Sequence, residues 1–126
     1  MEDETSKPTY AQLEQNLSQR IQSLYLNDLG HEPYSVSCQL IDKTLTIIVE
    51  NPITQLERFL AASGKQELAE ELRVNIHKAF QPFLKALIEE VVGTSVIDLL
   101  GDSNFQTGRT SVIAILAATP KVGNSA

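Results

Sequence analysis

The sequence predicts an α+β domain: a four-stranded antiparallel sheet, built as two hairpins, packed by three helices in the order α-β-β-α-α-β-β. Three observations carry this. Apolar residues from Glu67 to Val92 fall at Leu68, Leu72, Ile76, Phe80, Phe83, Leu84, Leu87 and Val91, the spacing of one face of a long helix. At 1.5 Å per residue that helix would be roughly 39 Å long, enough to cross a small domain. Tyr34 to Leu40 and Thr44 to Val49 alternate with a period of two, the pattern of half-buried strands. Arg109 to Ala117, rich in Val and Ile, gives a further strand at the end of the chain.

Taken in order, residues 1–8 are polar and mixed in charge, and are expected to be disordered. Residues 9–117 form the single domain. Thr9 and Gln12 have the spacing of a capping box. The first helix then runs to Asp28 with Tyr10, Leu13, Leu17, Ile21, Leu24 and Asp28 as its stripe, Tyr25 beside it, and Gly30 as its left-handed end. Asp42-Lys43 is the tight turn of the first hairpin. Asn51-Pro52 reads as a helix start, with Ile53, Leu56 and Leu60 as a short apolar stripe and Phe59 on its other side. Ser63-Gly64 stops that helix, and Ser63 with Gln66 opens the next. Pro82 inside the long helix predicts a bend rather than a break, since the stripe keeps its phase through it. Gly93 ends the helix. A third strand, Thr94 to Leu100, has muddled alternation, and Gly101 to Gly108 reads as a turn-rich hairpin connection. Residues 118–126 are expected to be a flexible tail. The order of the two hairpins in the sheet is not readable.

At 126 residues the chain is one domain, long enough to bury a core. A net charge of −6 argues against nucleic acid and against an anionic membrane surface as partners. The single cysteine, Cys38, allows no internal disulfide, which fits a reducing cytoplasm. The acidic, polar N-terminus is unlike a signal peptide, and the longest apolar run, Val112 to Ala118, is too short to span a bilayer.

Among chemistry-bearing residues, Glu57 and Arg73 are the sharpest pair. Each lies at the edge of its apolar stripe, so two helices packed side by side bring them together, as a ligand or partner anchor or as a pin between helices. The pin is the favoured reading. His31, His77 and Cys38 have no zinc-site spacing, so no metal or cofactor is expected. Glu67, Glu70 and Glu71 suit the start of the long helix. Glu89 and Glu90 oppose its dipole at the other end, and a solvated face is the plain reading of both groups. The Gly101 to Gly108 loop lacks the Lys and following helix of a phosphate-binding loop; Phe105 at its tip is a surface-contact candidate.

Three stretches together resemble the MpsC family, bacterial domains named after a proposed sodium-translocating, membrane-potential-generating system. They are Ile53-Thr54-Gln55-Leu56-Glu57-Arg58-Phe59-Leu60; Arg73 early in a long helix that runs into Ile88-Glu89-Glu90-Val91-Val92-Gly93; and the closing strand Ser111 to Leu116. The likeness spans Leu29 to Leu116. Where the family carries a Gly-x-Gly-Pro loop, this chain reads Gly30-His31-Glu32-Pro33. Glu32 therefore puts a side chain and a charge where a close backbone approach would be needed. The resemblance implies a cytosolic accessory or interaction domain and supplies no catalytic residues.

Two functional expectations follow. One is a non-enzymatic interaction domain that binds a protein, a membrane protein included, or forms a homodimer. Ile48, Leu99, Ile113 and Ile115 suggest a sheet with apolar residues on both faces, the second of which another helix or another protomer must cover. The other is a ligand sensor or enzyme with a closed cleft near Glu57, Arg73, His77 and the His31–Glu32 loop.

Overall fold

The computed structural model describes residues 7–122. The expectations for residues 1–6 and 123–126 fall outside the described residues. The elements are α1 (Tyr10–Leu29), β1 (Ser35–Ile41), β2 (Thr44–Glu50), α2 (Gln55–Ala62), α3 (Gln66–Val92), β3 (Val96–Asn104) and β4 (Arg109–Leu116). Both hairpins pair antiparallel, and β2 joins β4 to give the strand order β1-β2-β4-β3. Helix α1 packs on β1, α3 packs on α1 and β3, and α2 packs on α3 alone.

Capping chemistry sets the ends of α1. Thr9 and Gln12 form the reciprocal capping box, and Gly30 closes the helix at φ 65, a conformation that a Cβ would strain. The core joins Leu13, Leu17, Ile21 and Tyr25 of α1 to Phe80, Leu84, Leu87, Ile88 and Val92 of α3. Below them lie the inward residues of the sheet: Leu40, Leu45, Ile47, Val49, Val112, Ala114 and Leu116. Tyr25, expected beside the stripe, is in this core, packed against Phe80 with ring centroids 4.5 Å apart and the planes tilted by 42°; Asp28 is exposed instead. Tyr34, just before β1, is 82% exposed.

Helix α2 starts later than expected. Two start signals compete, and Thr54-x-x-Glu57 prevails because it satisfies two backbone N–H groups reciprocally. Asn51 instead turns the chain at φ 55. Its N–H donates to Gly108 (2.6 Å), and its carbonyl accepts from His31 Nε2 (2.8 Å). The expected Ser63 cap on α3 is absent too: Lys65 occupies the cap position without a side-chain bond. Helix α3 runs unbroken through Pro82.

The largest difference concerns which face of α3 meets the core. In its first half the buried residues are Ala69 and Arg73, not Leu68 and Leu72. Leu68 is 49% exposed and Phe83 59% exposed. Helix α2 shows the same inversion: Leu56 and Phe59 are exposed, and its buried residue is Glu57. Both helices carry more apolar residues than one contact face accommodates, and the sheet takes only one face of α3.

Strand β3 explains the muddled alternation. A register shift lies between Val96 and Asp98, so Ile97 is extruded and the following residues change side. Leu99 then points inward and Leu100 outward. Pairing continues through Gly101 to Asn104, so half of the expected loop is strand. A Cβ built on Gly101 would meet the Ser111 carbonyl oxygen at 2.6 Å and His77 Cε1 at 3.3 Å. Gly101→Ala is therefore expected to lose roughly 1–3 kcal/mol of stability, read as a lower midpoint in denaturant, because the obstruction is backbone and cannot rotate away.

The acids near the end of α3 have structural partners. Glu89 accepts from the Val96 N–H at 2.8 Å, and Glu90 pairs with Arg20 at 2.8 Å. Glu14 of α1 likewise accepts from Leu40 N–H (2.8 Å), so helix carboxylates occupy backbone donors of both outer strands. At the C-terminal end, Thr119 donates to Asp42 (2.7 Å), Pro120 is buried and Val122 packs on the core, so residues 118–122 are not detached from the domain.

Candidate functional site

Glu57 and Arg73 meet where α2 crosses the first half of α3. Arg73 Nε lies 3.1 Å from Glu57 Oε1, with the side chains 4% and 0% exposed. The distance is that of an ion pair, but the N–H is not aimed at the oxygen, and neither atom has another hydrogen-bond partner. The remaining contacts hold each group in place. Glu57 Oε2 accepts from Thr54 N–H (2.7 Å) and Thr54 Oγ1 (2.8 Å), and Arg73 Nη1 donates to the Pro52 carbonyl (3.1 Å). The two charges thus link the entry of α2, the segment after β2, and α3. Contrary to the sequence reading, both residues sit within buried faces rather than at their edges.

Two titratable groups flank the pair. Burial pushes the Tyr25 phenol up to about 12, with Arg73 opposing and Glu57 adding to the rise. Burial and then the Arg73 cation hold His77 below its ordinary value, while Asp102 pulls it back up. A His whose folded value is lowered loses nothing while neutral in both states. As pH falls below about 6.5, the unfolded chain takes up the proton first and stability declines. His77 should therefore titrate below the ordinary histidine midpoint in an NMR pH series, and His77→Gln should remove part of the acid-side loss of stability. A midpoint at or above 6.5 would contradict the placement of His77 beside Arg73.

A depression of about 340 Å³ opens beside Arg73, lined by His77, Lys78, Asp102, Ser103 and Phe105 among others. Phe105 is thus folded back toward α3 and half-buried rather than displayed at a loop tip. His31 and Glu32 line a different depression, of about 510 Å³, on the opposite flank of α3 with Leu56, Leu72 and Ile76. The single closed cleft expected near Glu57, Arg73, His77 and the His31–Glu32 loop is therefore two open depressions with α3 between them: Arg73 and His77 line one with Phe105, Glu57 lies behind Arg73, and His31 and Glu32 line the other. The sequence reading missed Tyr25, Lys78, Asp102 and Ser103. Asp102 and Ser103 were hidden by the assumption that Gly101 begins a loop.

Among the described residues no group of three or more His, Cys, Asp or Glu side chains is placed to hold a metal ion. Cys38 lies partly buried on β1, its thiol pushed up to about 11 by burial. No curated protein and no solved structure gives a significant match. Residues 9–118 do match one family, described as "Na+-translocating membrane potential-generating system (MpsC)", and that match covers the whole helix–hairpin–helix–helix–hairpin unit. The chain belongs to the MpsC family.

Proposed function

We propose that this chain is a non-enzymatic accessory or assembly domain that works in the cytoplasm by binding a protein partner or a second copy of itself. One observation carries the reading: the apolar residues that α2 and α3 leave outside the core. Leu56 is 58% exposed, Phe59 66%, Leu68 49% and Phe83 59%, and Leu56 and Phe83 line adjoining depressions beside α3, apolar surface of the kind a partner covers. The outward side of the sheet adds Ile41, Leu100 and Ile113. The buried charges fit a scaffold role, since both Glu57 oxygens face groups inside the fold. The family description points to a membrane-potential system. Among the described residues no helix is long and apolar enough to cross a membrane, so contact with such a system would run through an embedded partner.

The test is light scattering on the purified chain, together with a photo-crosslinking residue at Phe59 in native cells. A dimer mass, or one recurrent crosslinked protein, supports the reading. A monomer across the concentration range with no crosslinked protein overturns it.

The depression beside Arg73 favours a second reading, a sensor for a small anion. Arg73, nine-tenths buried and paired with Glu57, sits with Lys78 and Ser103 at the edge of about 340 Å³ of space, where Glu70 and Asp102 are the carboxylates an anion would have to avoid. Carboxylate or phosphate compounds that bind there should raise the unfolding midpoint, and Ser103→Ala should abolish that rise.

A further inference from the structure

Resting on the interaction reading, we propose that the groove along the outer flank of α3 receives a basic amphipathic helix from a partner protein. Two depressions, of about 510 and about 550 Å³, share Asp28, Leu29 and Ile76, so they form one trough. Its walls carry Leu29, Leu56, Leu72, Ile76, Ala79 and Phe83. Leu72 to Phe83 covers eleven residue steps, about 16 Å, or three helical turns. The trough runs beside a helix and presents side chains rather than a free strand edge. Its occupant is therefore a helix with apolar residues at i, i+3, i+4 and i+7, not an added strand.

Charge narrows the class of partner. The carboxylates lining the trough are Asp28 and Glu32, both exposed, and no Lys or Arg lines it. His31 is engaged with the Asn51 carbonyl. An apolar floor with an acidic rim complements Leu-rich helices flanked by Lys or Arg. It disfavours a second copy: the chain carries a net charge of −6, and its own longest helix presents Glu67, Glu70 and Glu71. Basic segments next to membrane spans are common on the cytoplasmic side of membrane proteins, the kind of partner the proposed function calls for.

The test uses labelled synthetic helices of about 18 residues, Leu on one face and Lys on the other, with anisotropy as the readout. The controls are a Leu/Glu helix of the same pattern and a shuffled Leu/Lys peptide. The Leu/Lys helix should bind saturably, about tenfold tighter than either control. Leu56→Ser or Phe83→Ser, both exposed positions checked by thermal melts, should weaken it about tenfold. Asp28→Lys with Glu32→Lys should reverse the preference toward the Leu/Glu helix. Equal binding of the shuffled peptide, or indifference to all these substitutions, would mean general attraction to an acidic protein and would overturn the proposal. A chain that dimerises or crosslinks through Phe59 yet ignores the Leu/Lys helix loses the groove proposal and keeps the interaction reading.

Discussion

Removing either member of the Glu57–Arg73 pair is expected to cost about 3–5 kcal/mol, while replacing both together costs far less than the sum. Glu57→Gln leaves the Arg73 cation, 4% exposed, with the Pro52 carbonyl as its remaining partner. Arg73→Met leaves a carboxylate at 0% exposure that is met by Thr54 but no longer neutralised. In both cases the desolvation penalty of one charge stays while its compensation goes. Each single variant should lower the thermal midpoint by roughly 10–20 °C. The double variant Glu57→Met with Arg73→Met removes both buried charges and fills similar volume. It should recover most of the loss, except for about 1 kcal/mol from the broken capping box of α2. A thermodynamic cycle over the unsubstituted chain, Glu57→Met, Arg73→Met and the double variant measures the coupling. Additive single effects would show that the 3.1 Å contact is geometric only and that α2 is held by other packing.

What was legible in the sequence, and what was not, divides along a physical line. Local chemistry was legible. The Thr9–Gln12 box, the Gly30 and Gly93 helix ends, and the alternation of Leu45, Ile47 and Val49 are all decided within a few residues, and all appear as read. The union of β2 with β4 was not legible, because strand order depends on residues some sixty positions apart whose alternation fits several neighbours equally. Glu57 and Arg73 were legible as a pair, because a carboxylate and a guanidinium among apolar residues on two neighbouring helices have few other ways to be buried. Their surroundings were not. Ile97 breaks the period of β3, and that one extruded residue concealed that Gly101 to Ser103 are strand and line a depression. The start of α2 shows two local signals in competition, and no single residue reveals that Asn51 serves the β3–β4 turn through Gly108 rather than the helix.

The apolar periodicity of α3 is the instructive error, and it yields a direct test. Hydropathy places Phe80 and Phe83 in one stripe. At 100° per residue they are 300° apart on the helix, so 60° separates them, enough to put one ring in the core against α1 and the other on the flank. Both rings line the outer trough, but Phe80 is 6% exposed and packs tilted against Tyr25, while Phe83 is 59% exposed. Phe80→Ala should therefore lose about 3–5 kcal/mol, through lost burial and the cavity left between α1 and α3. Phe83→Ala should change stability by no more than about 0.5 kcal/mol. Chemical denaturation of the two variants decides the point. Similar losses would mean that the flank of α3 is covered in solution, and that the ring of Phe83 is stabilising a contact with a second chain. A tenfold difference in sensitivity between the two positions would show that α3 keeps Phe83 outside the core to which Phe80 belongs. An aromatic ring left in water at no gain to the fold is then what the proposed docking groove requires, because its apolar area stays available for burial by a second chain.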